Sequence, residues 1–221
     1  KNPDFDMIDA QLTTEIFGFF SPARPDFAVE MAELPIQTTA RFNAEWISKF
    51  YVSMYSMAAN PDPNLSVKEN LISFAEKSRK ELPDDSYASK MYDFVKKQYY
   101  DGIPWETIRD NVYQRYQVEQ KDGYDLTSRN IRCNACAAAG INFAASIVSL
   151  FAGEGDLKET IKIGTLAGWD SDNPTATWGG LIGFMIGADG VEKVFDRTFS
   201  EEYNIHRTRQ NFPNGIDNFT N

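Results

Sequence analysis

Apolar residues recur at intervals of three and four along most of the chain, the period of helices that bury one face. From residue 5 to 20, Ile8, Leu12, Ile16, Phe19 and Phe20 fall on one side. Ser21-Pro22-Ala23-Arg24-Pro25 breaks that run, since proline removes a backbone donor and restricts the residue before it. A short helix follows from Asp26 to Leu34, with Phe27, Met31 and Leu34 inward. Thr38 or Thr39 can cap a long helix to about Ala59, in which Phe42, Trp46, Ile47, Phe50, Met54 and Met57 form a core stripe. Asn60-Pro61-Asp62-Pro63 ends it, and Ser66-Val67-Lys68-Glu69 has the spacing of a capping box opening a helix to about Glu81. Asp84 and Asp85 read as cap residues of the helix from about Ser86 to Tyr99, not as a catalytic pair. A further helix carries Trp105, Ile108, Val112 and Tyr116, and residues 119 to 130 read as a polar loop.

The second half is more apolar. From about Asn134 to Phe151 nearly every residue is small or hydrophobic, which marks a central helix buried on all sides. Asp156 caps a helix to about Leu166. Then comes Gly168-Trp169-Asp170-Ser171-Asp172-Asn173-Pro174, the stretch in which chemistry concentrates. Asn173 as N-cap and Pro174 as first helical residue predict a helix through Thr177, Trp178, Leu181, Ile182, Phe184 and Met185 that stops near Gly187. A bent turn lets Asp170 and Asp172 converge, as side chains two apart on a regular helix cannot. Convergent carboxylate oxygens suit a hard cation such as Mg²⁺ or Ca²⁺, whereas a purely structural pair would only complement the helix dipole. Ala176, Gly179, Gly180, Gly183 and Gly187 form a small-residue face open to close helix packing. Val191, Val194 and Phe195 suggest one more short helix, and residues 198–221 an irregular polar tail. Strand signals are nearly absent, so the pattern predicts an all-α, compact, single-domain helical bundle over 1–221, its helices packed around two small-residue central ones.

Composition narrows the partners. The formal net charge is −10, and such acidity argues against a nucleic-acid backbone as partner. No apolar run is long enough to span a bilayer, and Lys1-Asn2-Pro3-Asp4 is not the start of a signal peptide. The low pI and the triplets Asn64-Leu65-Ser66 and Asn218-Phe219-Thr220 are compatible with secretion; a cytoplasmic location is the alternative. Cys133 and Cys136 have the spacing of a redox or zinc pair. Zinc would need two further ligands, and His206 is the only histidine. The two cysteines are therefore expected as small buried residues on one helix face. Arg132, at the expected helix start, is read as a salt-bridge residue rather than a phosphate contact, and His206 near Arg207 and Arg209 forms no nucleophilic triad.

The Gly168–Pro174 stretch with its glycine-faced helix resembles the C-terminal metal-binding signature of the ADP-ribosylglycohydrolase family, which includes the dinitrogenase-reductase-activating glycohydrolases. Gly155-Asp156-Leu157 is similar to the turn that precedes that signature, and Asp9-Ala10-Gln11-Leu12-Thr13-Thr14-Glu15-Ile16 with Ser21-Pro22-Ala23-Arg24-Pro25 to an earlier helix-and-turn segment. The resemblance covers about residues 5 to 195 and implies an all-helical fold and hydrolysis of an N- or O-glycosidic bond to ADP-ribose. It implies two Mg²⁺ ions, or Mn²⁺ in some members, in a central cleft. Carried over, Asp170 and Asp172 are metal ligands, and Asn173 stands where a hydroxyl ligand is usual, its amide oxygen a substitute. Gly168, Trp169 and Ser171 shape the substrate rim. The catalytic residues are not assigned. In the family the other metal ligands come from a Thr-Asp-Asp motif upstream and a Gly-Asp-Ala-Leu-Gly-like segment starts the domain; neither occurs in this sequence. The chain thus resembles the C-terminal two-thirds of such a domain. A second chain or an N-terminal fragment of the same precursor would carry Thr-Asp-Asp, and the ligand would be a small sugar or nucleotide sugar. The alternatives are a catalytically inactive binding or structural protein on the same scaffold and a secreted glycosidase acting on another sugar.

Overall fold

The computed structural model describes residues 4–125 and 136–199. Within them the regular structure is helical, with one isolated antiparallel bridge, Met7 to Ala138. The helices are α1 (Asp9–Thr14), α2 (Ile16–Phe19), α3 (Pro25–Thr39), α4 (Asn43–Ala58), α5 (Val67–Ser78), α6 (Tyr87–Tyr100), α7 (Trp105–Val112), α8 (Ala139–Gly153), α9 (Leu157–Ala167) and α10 (Asp172–Phe195). None of them is long and apolar enough to cross a membrane.

The centre is α8 against α4. As its composition predicts, α8 is buried on all sides apart from the half-buried Ala152. Its partner at the centre is α4, however, and not the glycine-faced α10, which is buried on one side only. Large rings of α4 fill the space that the small residues of α8 leave. Phe50 and Tyr51 meet Phe143 with ring centroids 5.2 and 5.9 Å apart, and Tyr51 lies 5.4 Å from Trp178 of α10. Each such buried side chain contributes about 1.5–3 kcal/mol of transfer free energy. Trp178 satisfies its indole N–H on the Ser146 carbonyl at 2.9 Å, and Tyr55 donates to the Thr177 carbonyl at 2.7 Å. Those two bonds fix the first half of α10 on the core.

Two of the expected caps form, those of Ser66 and Asp156. Ser66 and Glu69 form the reciprocal capping box at α5, and Asp156 Oδ1 accepts from the Glu159 amide at 2.8 Å. The cap of α6 is Ser86, which accepts from the Ser89 amide, and not Asp84 or Asp85; both are exposed, and Asp84 pairs with Arg79.

Several helices bury a different face from the one their apolar stripe marks. The stripe Leu12, Ile16 and Phe20 points outward, at 44, 46 and 68% exposure, while Ala10, Gln11, Thr14 and Gly18 face in. Gly18 decides this: a Cβ there would stand 2.4 Å from Tyr55 Cβ and 2.6 Å from the Val52 carbonyl oxygen, so α2 lies backbone to backbone on α4. The expected single helix over residues 5–20 is accordingly two short ones. In α3, Ala28, Ala32 and Ile36 face in, whereas Phe27 and Leu34 are exposed; the helix runs through Pro35 to Thr39, which buries Ile36. Thr38 and Thr39 end this helix instead of capping α4, whose cap residue is Phe42 at φ 56°.

The helix expected from Asn134 starts only at Ala139. Ala137 and Ala138 spend their backbone groups on pairing: Ile8 donates to the Ala137 carbonyl, and the Ala139 amide donates to the Asp6 carbonyl. Cys136 lies in this turn, half-buried and disulfide-bonded, so it is not a reduced residue on a helix face. Cys133, Arg132, Asn134, the tail from residue 200 with His206, and the second glycosylation triplet lie outside the described residues. Past Val112, the chain continues as a π-helix over Tyr113–Val118, followed by a short 3₁₀ turn, Lys121–Gly123, in the stretch read as loop.

Candidate functional site at the start of helix α10

Helix α9 ends at Ala167, and the chain then turns sharply. Gly168 takes φ 100°, ψ −165°, backbone that side-chain-bearing residues rarely adopt, and no atom lies within 4 Å of where a Cβ would be. Trp169 follows at φ 55°. A left-handed aromatic residue has to be held in place, and its indole N–H donates to Gln117 Oε1 at 2.8 Å, from the π-helix after α7. Trp169 is half-buried against the core.

Asp170 comes next, before the helix, and its amide donates to Asn142 Oδ1 of α8 at 3.1 Å. Asp172 is the first residue of α10, one earlier than the expected N-cap. Asn173 is thus inside the first turn, buried, and does not cap: its amide N–H and Nδ2 both donate back to the Asp170 carbonyl, at 3.1 and 3.3 Å. Ser171 is half-buried, its carbonyl accepting from the Thr175 hydroxyl at 2.7 Å.

The two acids converge. Burial holds the Asp170 carboxyl above the usual aspartate range, and a hydrogen bond to the Asp172 carboxyl and that group's charge push the same way. Asn173 opposes the shift by donating to it, and Asp9 adds a weaker repulsion from α1. Asp170 is half-buried and Asp172 exposed, so the pair sits at the open end of α10, not in an enclosed cleft between helices.

A third acid meets α10 at Thr177. Glu15 of the α1–α2 junction accepts from the Thr177 hydroxyl at 2.7 Å and from Gln11 Nε2 at 3.3 Å. Burial raises its affinity for a proton, against the pull of those donors and of Tyr55.

The donor set near the turn is two carboxylates and an amide, all hard oxygen, which fits one side of a divalent cation's coordination shell. Among the described residues no group of three or more His, Cys, Asp and Glu side chains could hold a metal ion. The small-residue face is only partly used. Helix α9 packs on it at Gly179, where a Cβ would stand 3.7 Å from the Ile161 side chain, whereas Ala176 and Gly180 are exposed. Gly187, at φ 72°, breaks the regular helix where a stop was expected, and helical structure resumes to Phe195.

Two residues of the site were not evident in the sequence. Asn142 is the one long polar side chain in the apolar run of α8, a signal in itself, since a buried amide requires partners. Gln117 lies on a π-turn that no residue spacing announced. The family model described as ADP-ribosylglycohydrolase matches residues 5–208. No curated protein and no solved structure matches the chain.

Proposed function

The chain belongs to the ADP-ribosylglycohydrolase family, and from that premise we propose that it hydrolyses an N- or O-glycosidic bond of ADP-ribosyl type, with a divalent cation held at Asp170 and Asp172. The observation that carries the reading is the convergence of these two carboxyls on a turn fixed from two sides. Two neighbouring carboxylates at the head of a helix repel each other when ionised, and a cation there relieves the repulsion. Asn173 supplies the third oxygen donor. When bound, Mg²⁺ or Mn²⁺ would orient sugar hydroxyls and a water and offset charge at the anomeric carbon.

The protein's own groups do the positioning. Gly168 leaves room beside the turn, so a ligand approaches the backbone closely. Trp169, held by Gln117, offers a fixed indole wall on which a base or sugar stacks, and Ser171 borders it. The remaining ligands belong to a Thr-Asp-Asp segment brought by a second chain or by an N-terminal part of the same precursor. Two features support this: among the described residues no group of three or more His, Cys, Asp and Glu side chains could hold a metal ion, and the outward apolar stripe Leu12, Ile16 and Phe20 lies on the α1–α2 segment that touches α10 through Glu15 and Phe19.

Calorimetry with Mg²⁺, together with release of ADP-ribose from an ADP-ribosylated guanidine and an ADP-ribosylated serine peptide, tests the proposal. Mg²⁺ binding that disappears in Asp172→Ala is the expected result. A protein that binds no Mg²⁺ and releases no ADP-ribose overturns it. The carboxylate count and the amide at Asn173 favour one second reading, an inactive binding protein on this scaffold, which would bind free ADP-ribose in the same calorimeter without turnover.

A further inference from the structure

We propose that Asn142 is the positioning residue of the Asp170–Asp172 pair, a role that rests on the reading of that pair as a cation site. Its side chain is 3% exposed and is bonded on both sides. Oδ1 accepts from the Asp170 amide at 3.1 Å, while Nδ2 donates to the carbonyls of Cys136 and Ala138. One amide therefore ties the turn ahead of α8 to the turn ahead of α10.

The position of that tie matters. The Asp170 amide stands before the helix, at the end of a left-handed stretch, where neither α9 nor α10 offers it an acceptor in register. Asn142 supplies one from the most buried helix of the molecule. From there the bonding continues in one direction. The Asp170 carbonyl accepts both the backbone amide and Nδ2 of Asn173. The orientation of the first acid and of the amide beside the second thus descends from one side chain on α8. Gln117 fixes Trp169 independently from the other side. Residues that orient metal ligands without touching the metal typically govern affinity by about 10- to 100-fold.

The fold contains its own control. Asn70, also 3% exposed, makes an equivalent staple away from the site: it accepts from the Asp62 amide and donates to the carbonyls of Asp62, Leu65 and Ser66. Asn142→Leu and Asn70→Leu each remove a buried amide of the same size and a similar set of bonds. Two quantities are measured on the full chain: exchange protection of the Asp170 amide by NMR, and Mn²⁺ affinity by paramagnetic broadening at Asp170 and Asp172. N142L is expected to lose the protection and to weaken Mn²⁺ by about 10- to 100-fold, while N70L changes neither. Unaltered protection or affinity in N142L overturns the proposal, and so does an equal loss in N70L.

Should the wild-type chain not bind Mn²⁺ at the pair, the cation reading falls and with it the link to affinity, whereas the exchange arm still decides whether Asn142 fixes the turn. If N142L does not fold, Asn142→Ser repeats the comparison. Its hydroxyl can still bond the Ala138 carbonyl one turn back but no longer reaches Asp170.

Discussion

Glu15 keeps its carboxyl turned onto Thr177 and Gln11 instead of into water. Tyr55 faces it from α4, its own hydroxyl raised by burial and by the charge of Glu15. With its affinity for a proton raised, Glu15 favours the folded state most when protonated. Its contribution is fully present below the ordinary glutamate pKa and is lost as pH climbs to the raised value. Glu15→Gln retains the shape and removes that dependence. Its Tm relative to wild type is expected to rise between pH 4.5 and pH 8 in paired thermal melts; a difference independent of pH would contradict the burial argument. The same logic at Asp170 predicts that Mg²⁺ raises the Tm of the wild type by the equivalent of about 2.7 kcal/mol at a hundredfold excess over Kd. Asp172→Ala is expected to abolish that increment in a melt with and without the ion.

Elements are set by two kinds of local rule, and they differ in what survives folding. Caps are satisfied within four residues, so the box at Ser66 and Glu69 was legible before any tertiary contact was known. Ser66→Ala is expected to cost about 1 kcal/mol, or roughly 2–4 °C in Tm for a chain of this size. Facing is another matter. The apolar stripe of α1–α2 marked one side as buried, but Gly18 presses the other side onto the α4 backbone. Gly18→Ala forces a methyl against Tyr55 Cβ and is expected to destabilise by about 1–3 kcal/mol. A Tm within a degree of wild type would mean that α2 can lift off α4 freely. The late start of α8 has the same origin: Ala137 and Ala138 have helical propensity, yet their carbonyl and bridge partners come from residues 7 and 8, far away in sequence.

At the scale of the molecule, α8 and α4 hold the core, and the outward stripe of Leu12, Ile16 and Phe20 lies on the α1–α2 segment, whose Phe19 meets Phe184 of α10. If this stripe is left to solvent in the isolated chain, Leu12→Gln with Ile16→Gln is expected to shift unfolding by no more than about 0.5 kcal/mol per residue. The same pair of changes should weaken association with a chain that supplies Thr-Asp-Asp, measured by co-elution. A large loss of stability in the isolated chain would place those side chains inside its core.

Composition and periodicity alone determined that the described residues are helical, that the apolar run ending at Phe151, expected from about Asn134, is central, and that Asp170 and Asp172 share a turn. Those properties follow from spacing and from bonds closed within a few residues. Tertiary structure decided which side of α1–α3 faces in, that α4 and not α10 joins α8 at the centre, and that Asn142 and Gln117 fix the acidic turn. The partners of Gly18, Asn142 and Gln117 lie 28 or more positions away, and the pattern along a sequence carries no record of which distant residue will fill the space.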